Sequence, residues 1–211
     1  MKSPVRYRSL AFCLLLSGCA TTQLKTSWRD PEFVPSNLKK ILVVGAELLP
    51  ENRRVLEYSF TQALKKHGAI PVASYTLMPI EPKPTEAALR KIVADQGFDA
   101  VLVSRLGYID SIDKGIPAQV SVGVSPGYGY GGYGYGGYGG YYNYGTQVVV
   151  SQNIPASSED YAVVETKLYA VAGEKLLWSG DSRTNLGNGS RTKELIREFS
   201  QIAADTIYSH R

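Results

Sequence analysis

Lys39-Lys-Ile-Leu-Val-Val-Gly-Ala-Glu47 is the stretch on which the fold turns. Its apolar core, Ile41 to Val44, does not alternate with polar residues. An unbroken run of this length fits a strand buried on both faces. Pro50 and Glu51 then open a helical pattern reaching about Lys66, with Leu56, Phe60, Ala63 and Leu64 at helical spacing and Gly68 as its stop. A second strand is expected over 69–77, before a turn holding Pro79, Pro82 and Pro84. Thr85 is a good N-cap for a helix that carries Leu89, Ile92 and Val93 and ends at Gly97. A third strand over 99–108 repeats the solid apolar run at Ala100 to Val103. This β-α-β-α-β order is the pattern of an α/β sheet covered by helices.

Downstream the rhythm changes. Residues 118–124 alternate, 146–152 are β-branched, and 161–172 and 175–182 flank Gly173-Glu174 as the arms of a hairpin. A last helix over 192–208 places Leu195, Phe199, Ile202, Ala203 and Thr206 on one face, suited to covering the sheet. The expected fold is therefore α/β, with about three helices on a mixed sheet of six to seven strands in one domain over 38–211. Trp178 and Tyr169 are expected to pack on the sheet as cross-strand aromatics.

Residues 123–145 stand apart. They hold 11 of the chain's 21 Gly and 8 of its 15 Tyr, and no aliphatic residue follows Val124. With so much backbone entropy to lose and so little to bury, the segment is expected to be a flexible, low-complexity hairpin extension. Gly129-Tyr-Gly131-Gly-Tyr-Gly134 matches the dinucleotide fingerprint in letters only, because that mechanism needs a strand before it and a helix N-terminus after it. Three readings remain for the tract: a tolerated insertion, a self-association segment, or a surface for glycan or peptidoglycan. In the last two, Tyr128, Tyr130, Tyr133, Tyr135, Tyr138, Tyr141, Tyr142 and Tyr144 are the candidate contacts.

Catalytic signals are thin. His67 ends a helix beside Lys65 and Lys66, where a cation suits the helix dipole, and His210 is next to last. Two isolated His offer no usual metal site, and no nucleophile elbow is present. Asp110 and Asp113, expected just past a strand end, are the remaining pair for a hydrolase; loop acids two residues apart are ordinarily turn formers. Arg53-Arg54 and Lys65-Lys66 read as solvated helix faces. No enzyme, metal or cofactor is expected.

The first nineteen residues speak of location. Lys2, Arg6 and Arg8 precede a short apolar core from Leu10 to Leu16, the order of a secretory signal and too short to span a bilayer. Leu16-Ser17-Gly18-Cys19 resembles the lipobox of bacterial lipoproteins. That resemblance implies cleavage after residue 18, a covalent lipid on Cys19 as the new N-terminus, and, with Ala20 following, an outer-membrane destination facing the periplasm. Several acyl chains on one cysteine hold a protein to a membrane where a single chain holds it only marginally. Removing 1–18 takes three basic residues and no acid, leaving 20 basic against 19 acidic residues. That balance is no footprint for nucleic acid. Cys13 leaves with the signal and Cys19 is lipidated, so no thiol remains for a disulfide. Residues 19–37, polar and carrying Pro31 and Pro35, read as a lipidated tether, with Trp28 and Phe33 docking its last part on the domain surface.

Ser27-Trp28-Arg29-Asp30-Pro31, Lys40-Ile-Leu-Val-Val-Gly45, Gly97-Phe-Asp-Ala-Val-Leu-Val103, and Leu168-Tyr169 with Leu177-Trp178-Ser179 together resemble a family of uncharacterised bacterial lipoproteins. The wider pattern is similar, at the level of fold, to the periplasmic domains of TolB-like, curli-secretion and penicillin-binding-protein-activator lipoproteins. The resemblance implies a non-catalytic role in envelope assembly or regulation through contact with another envelope protein. Glycan or peptidoglycan binding, or self-association, by the Tyr/Gly tract stays open as the alternative.

Overall fold

The computed structural model describes residues 22–46, 50–112, 137–143, 159–185 and 192–209. The chain runs β1 (Thr22–Arg29), β2 (Lys40–Ala46), α1 (Pro50–Lys65), β3 (Ile70–Ala73), α2 (Glu86–Gln96), β4 (Ala100–Ile112), α3 (Gly137–Asn143), β5 (Glu159–Ala170), β6 (Leu176–Asn185) and α4 (Thr192–Tyr208). Six strands form one mixed sheet in the order β1-β6-β5-β4-β2-β3. β2 is parallel to both β3 and β4; the other pairings are antiparallel. Among the described residues no helix is long and apolar enough to cross a membrane.

The double-sided burial expected of Ile41 to Val44 is what the sheet does with them. Ile41 and Val43 join Ala100, Leu102, Leu168 and Trp178 under α1 and α4, through Leu56, Phe60, Leu64, Phe199, Ala203 and Ile207. Leu42 and Val44 join Val101, Val103 and Tyr169 on the opposite face, under Leu89 and Val93 of α2 and three tyrosines of α3. Phe60 and Phe199 meet edge to face at 5.5 Å where α1 crosses α4. Thr85 caps α2 by accepting from Ala88 N at 3.2 Å, and Gly97 ends it at φ 63°.

Three sequence expectations shift. The strand expected over 69–77 stops at Ala73 and gives way to a single 3-10 turn over Ser74–Thr76. The Asp99–Lys40 contacts start β4 at Ala100, but it continues to Ile112 along β5. Most consequential, residues 22–29 are no tether: they pair along β6 as an edge strand, with a bulge between Leu24 and Thr26. A polar edge strand takes its order from its partner's backbone, which hydropathy does not record. Phe33, expected to dock on the domain surface, goes further and joins the hydrophobic core. The strands expected over 118–124 and 146–152 lie outside the described residues.

At the other edge, Ile70 N donates to Lys39 O at 2.7 Å, which turns Ile70 toward β2. At the next residue, Pro71, the backbone nitrogen is on the side away from β2 and carries no hydrogen, although the residue itself is buried, and this edge is blunted against pairing with another chain.

A buried acid ties the C-terminal end of β2 to α1 and the turn after β3. Glu57 is fully buried. Its Oε1 accepts from Gly45 N (2.9 Å), Arg53 Nε (2.8 Å) and Ser74 Oγ (2.7 Å), and its Oε2 accepts from Tyr75 N (2.9 Å). Arg53 also donates to Ser74 Oγ at 2.9 Å. Arg53 was expected as a solvated helix face; it is buried because this carboxylate neutralises it. Removing one partner of such a pair strands the other's charge at a cost of about 3–5 kcal/mol. Glu57→Ala is expected to lower the melting temperature by roughly 10 °C in thermal unfolding, and Arg54→Ala, one residue from Arg53, by far less; equal melting temperatures for both variants would contradict this role.

Candidate functional site

The arrangement that gathers the most chemistry lies on the sheet face that carries α2. β4 and β5 pair so that Val101 is opposite Tyr169, Val103 opposite Lys167 and Arg105 opposite Glu165. Charged residues follow apolar ones along both strands, so a polar patch adjoins the second half of the core. Arg105 is 4% exposed. Its Nε and Nη2 donate to Glu165 Oε2 at 3.0 and 2.8 Å. A buried ion pair of this kind needs further polar partners to offset its desolvation.

α3 supplies one. Tyr141 Oη donates to the same Glu165 Oε2 at 3.1 Å. Its ring lies under the Arg105 guanidinium at 4.4 Å and the Lys167 ammonium at 4.2 Å. The other two tyrosines of the helix meet cations as well: Lys83 stands over Tyr142 at 5.0 Å and Arg90 over Tyr138 at 5.3 Å. Each such contact contributes roughly 0.5–2 kcal/mol, more where water is excluded. Arg90 is itself held by Glu86 on α2 and by Glu174 in the β5–β6 turn.

Glycine lets α3 come this close. A Cβ on Gly139 would stand 2.7 Å from Arg90 Nη2 and 2.8 Å from Glu86 Cγ, and one on Gly137 would overlap Glu174. Tyr138, Tyr141 and Tyr142 sit at helical i, i+3 and i+4 spacing, which places their rings on one side. All three are buried.

Ionisation follows the burial. Desolvation pushes the Tyr141 phenol well above its ordinary value, and the Glu165 carboxylate adds to the shift. Burial likewise raises Tyr169 and lowers Lys167. The arrangement favours a protonated Tyr141 phenol on the partly buried Glu165 carboxylate. It positions a helix.

The sequence candidates separate accordingly. Tyr138, Tyr141 and Tyr142 face the sheet, so the expectation of a flexible extension across 123–145 does not hold for these seven residues of α3. Tyr128, Tyr130, Tyr133, Tyr135, Tyr144, Cys19 and Asp113 lie outside the described residues. Asp110 falls inside β4, opposite Tyr161, rather than past a strand end as expected, because β5 extends the ladder to Ile112. His67 hydrogen-bonds Asp205 at 2.8 Å and stacks on Tyr208 at 4.7 Å, joining α1 to α4. Trp178 is buried in the core, as expected, but Tyr169 packs on the opposite face of the sheet and pairs with Leu176, so the two do not form the expected cross-strand aromatic pair. Arg105, Glu165 and Lys167 were missed by sequence reasoning. The available signal was an arginine two residues after a fully apolar strand run.

Two tests follow. Tyr141→Ala removes the hydroxyl and the ring beneath two cations, and is expected to expose 137–143 to limited proteolysis and to cost about 3 kcal/mol; Tyr58→Ala, at an exposed position, should leave the digestion pattern unchanged. A phenol with a raised folded-state pKa contributes stability that is complete below the unfolded value of about 10 and is lost as pH rises through the folded one. Stability is therefore expected to fall above about pH 10, and to fall less steeply in Tyr141→Phe. Superimposable pH profiles for the two proteins would contradict the assignment.

The sequence matches no protein-family profile and no curated relative. Its fold is similar to that of the PelC dodecamer from Paraburkholderia phytofirmans, at 13% identity and a TM-score of 0.44, over 90% of this chain and 99% of that one. It is also similar to lipoprotein GNA1162 from Neisseria meningitidis, at 15% identity and a TM-score of 0.41, over 81% of this chain and 99% of that one.

Proposed function

We propose that this chain is a lipoprotein of the bacterial envelope, anchored through Cys19 at the outer membrane and facing the periplasm. Its work is contact with another envelope protein, as an adaptor or assembly factor, rather than catalysis. The observation that carries the reading is the N-terminal segment. A basic start and a short apolar core end on Leu16-Ser17-Gly18-Cys19, and a folded domain begins directly afterwards. The buried ionisable groups support the non-catalytic part. Glu57 and Arg53 join β2, α1 and the turn after β3, while Glu165 and Arg105 hold α3.

The second reading, glycan or peptidoglycan binding by the Tyr/Gly tract, is favoured by the repeated flat aromatic faces. It rests on Tyr128, Tyr130, Tyr133, Tyr135 and Tyr144, since the three tyrosines of α3 are turned onto the sheet. Pull-down on insoluble peptidoglycan decides between them: the adaptor reading expects the protein in the supernatant, and retention that depends on 123–136 would favour the glycan reading.

Metabolic labelling with an alkyne fatty acid tests the anchor. The native chain is expected to take up label and to sediment with outer-membrane material. Cys19→Ala should lose the label and remain unprocessed or unanchored. Undiminished acylation and membrane attachment of Cys19→Ala would refute the assignment.

A further inference from the structure

β1 starts at Thr22, three peptide steps after Cys19. Three steps reach at most about 11 Å. Thr22 is buried, and its Oγ1 lies 3.1 Å from Thr184 Oγ1 of β6, so the chain is fixed in the sheet from that residue on. The leash between anchor and domain is correspondingly short. The 19-residue tether expected from the sequence would have reached on the order of 60 Å.

Register shows which end of the sheet the leash holds. Thr22 is opposite Thr184, Thr184 opposite Ala162, and Ala162 opposite Ile109. This end therefore carries the last residues of β4 and β6 and the first of β5. The far end carries the starts of β2 and β3, with Lys40 opposite Ile70, and the β5–β6 turn at Gly173. From the level of Gln23, Arg183, Val163 and Tyr108 to that of Asp99, Lys40 and Ile70 the sheet is about 30 Å deep. From β1 to β3 it is about 24 Å wide.

We propose that the Thr22–Thr184–Ile109 end of the sheet faces the lipid headgroups of the leaflet that holds the Cys19 acyl chains. This rests on the lipidation proposed above. A leash of about 11 Å on a body of these dimensions fixes which end meets the bilayer, whereas a leash longer than the body would not. The occupant of this end is a lipid surface. Two consequences follow from the topology. The segment containing the Tyr/Gly tract leaves β4 at Ile112 and rejoins β5 at Glu159 on the membrane side. The Gly173 turn and the Ile70 corner stand on the side open to periplasmic partners.

The mature chain carries no cysteine besides Cys19, so single-cysteine labelling is clean. Gln23→Cys and Ile70→Cys, both at exposed positions, place a donor fluorophore near the two ends. The full-length lipoprotein is reconstituted into vesicles of phosphatidylethanolamine and phosphatidylglycerol carrying a headgroup-linked energy acceptor. Transfer from position 23 is expected to exceed that from position 70 several-fold. A flexible Gly/Ser spacer of about 20 residues inserted after Ala20 should bring the ratio close to one. Equal transfer without the spacer, or a ratio that the spacer leaves unchanged, overturns the orientation while the anchor stands. Flotation with the vesicles and the mass of the Cys19 peptide are read first; protein that neither floats nor carries acyl mass overturns the anchor and the orientation with it.

Discussion

Neighbouring parallel strands that are apolar on both faces need two covers. β2 and β4 impose that requirement here, through Ile41 to Val44 and Ala100 to Val103, all fully buried. On one face the cover is conventional: α1 and α4 lay long amphipathic surfaces over Ile41, Val43 and Leu102. On the other, α2 is shorter and reaches only part of the surface, and the sheet continues past it into Arg105, Lys167 and Glu165. The architecture follows from how that second face is finished.

It is finished by a segment that composition alone would leave as loop. The entropy argument against ordering a Gly-rich stretch holds where nothing offsets it. Here three aromatic rings leave water together, four cations meet their faces, and one hydroxyl completes a buried ion pair. The glycines serve approach: a Cβ on Gly137 would overlap Glu174, and one on Gly139 would have to displace the Arg90 and Glu86 side chains. Gly in this stretch is a packing residue as much as a flexible one.

What the sequence discloses depends on where the ordering force lies. The central strands, α1, α2 and α4 were legible because their own apolar residues carry the signal, and Thr85 and Gly97 mark the ends of α2 by local chemistry. The hairpin around Gly173 was legible for the same reason. β1 was not, since an eight-residue polar edge gains its order from β6. α3 was not, since its partners Lys83, Arg90, Arg105 and Lys167 come from four other places in the chain, although the i, i+3, i+4 spacing of Tyr138, Tyr141 and Tyr142 was there to be read. Of the candidate site residues, the three tyrosines of α3 were named as contacts, but the direction they face was set by tertiary charge rather than by pattern.

These two late additions to the fold bear on how it works. β1 shortens the path from Cys19 to the sheet, and α3 packs part of the Tyr/Gly segment onto the second face. The second face is complete only with α3 docked on it. Hydrogen–deuterium exchange on the native full-length protein, followed by peptide mass spectrometry, measures this directly. Amides in 137–143 are expected to be protected well beyond an unstructured peptide, and 101–105 and 165–169 to exchange among the slowest in the molecule. Exchange of 137–143 at the unprotected rate, with β4 and β5 still fully protected, would contradict that docking.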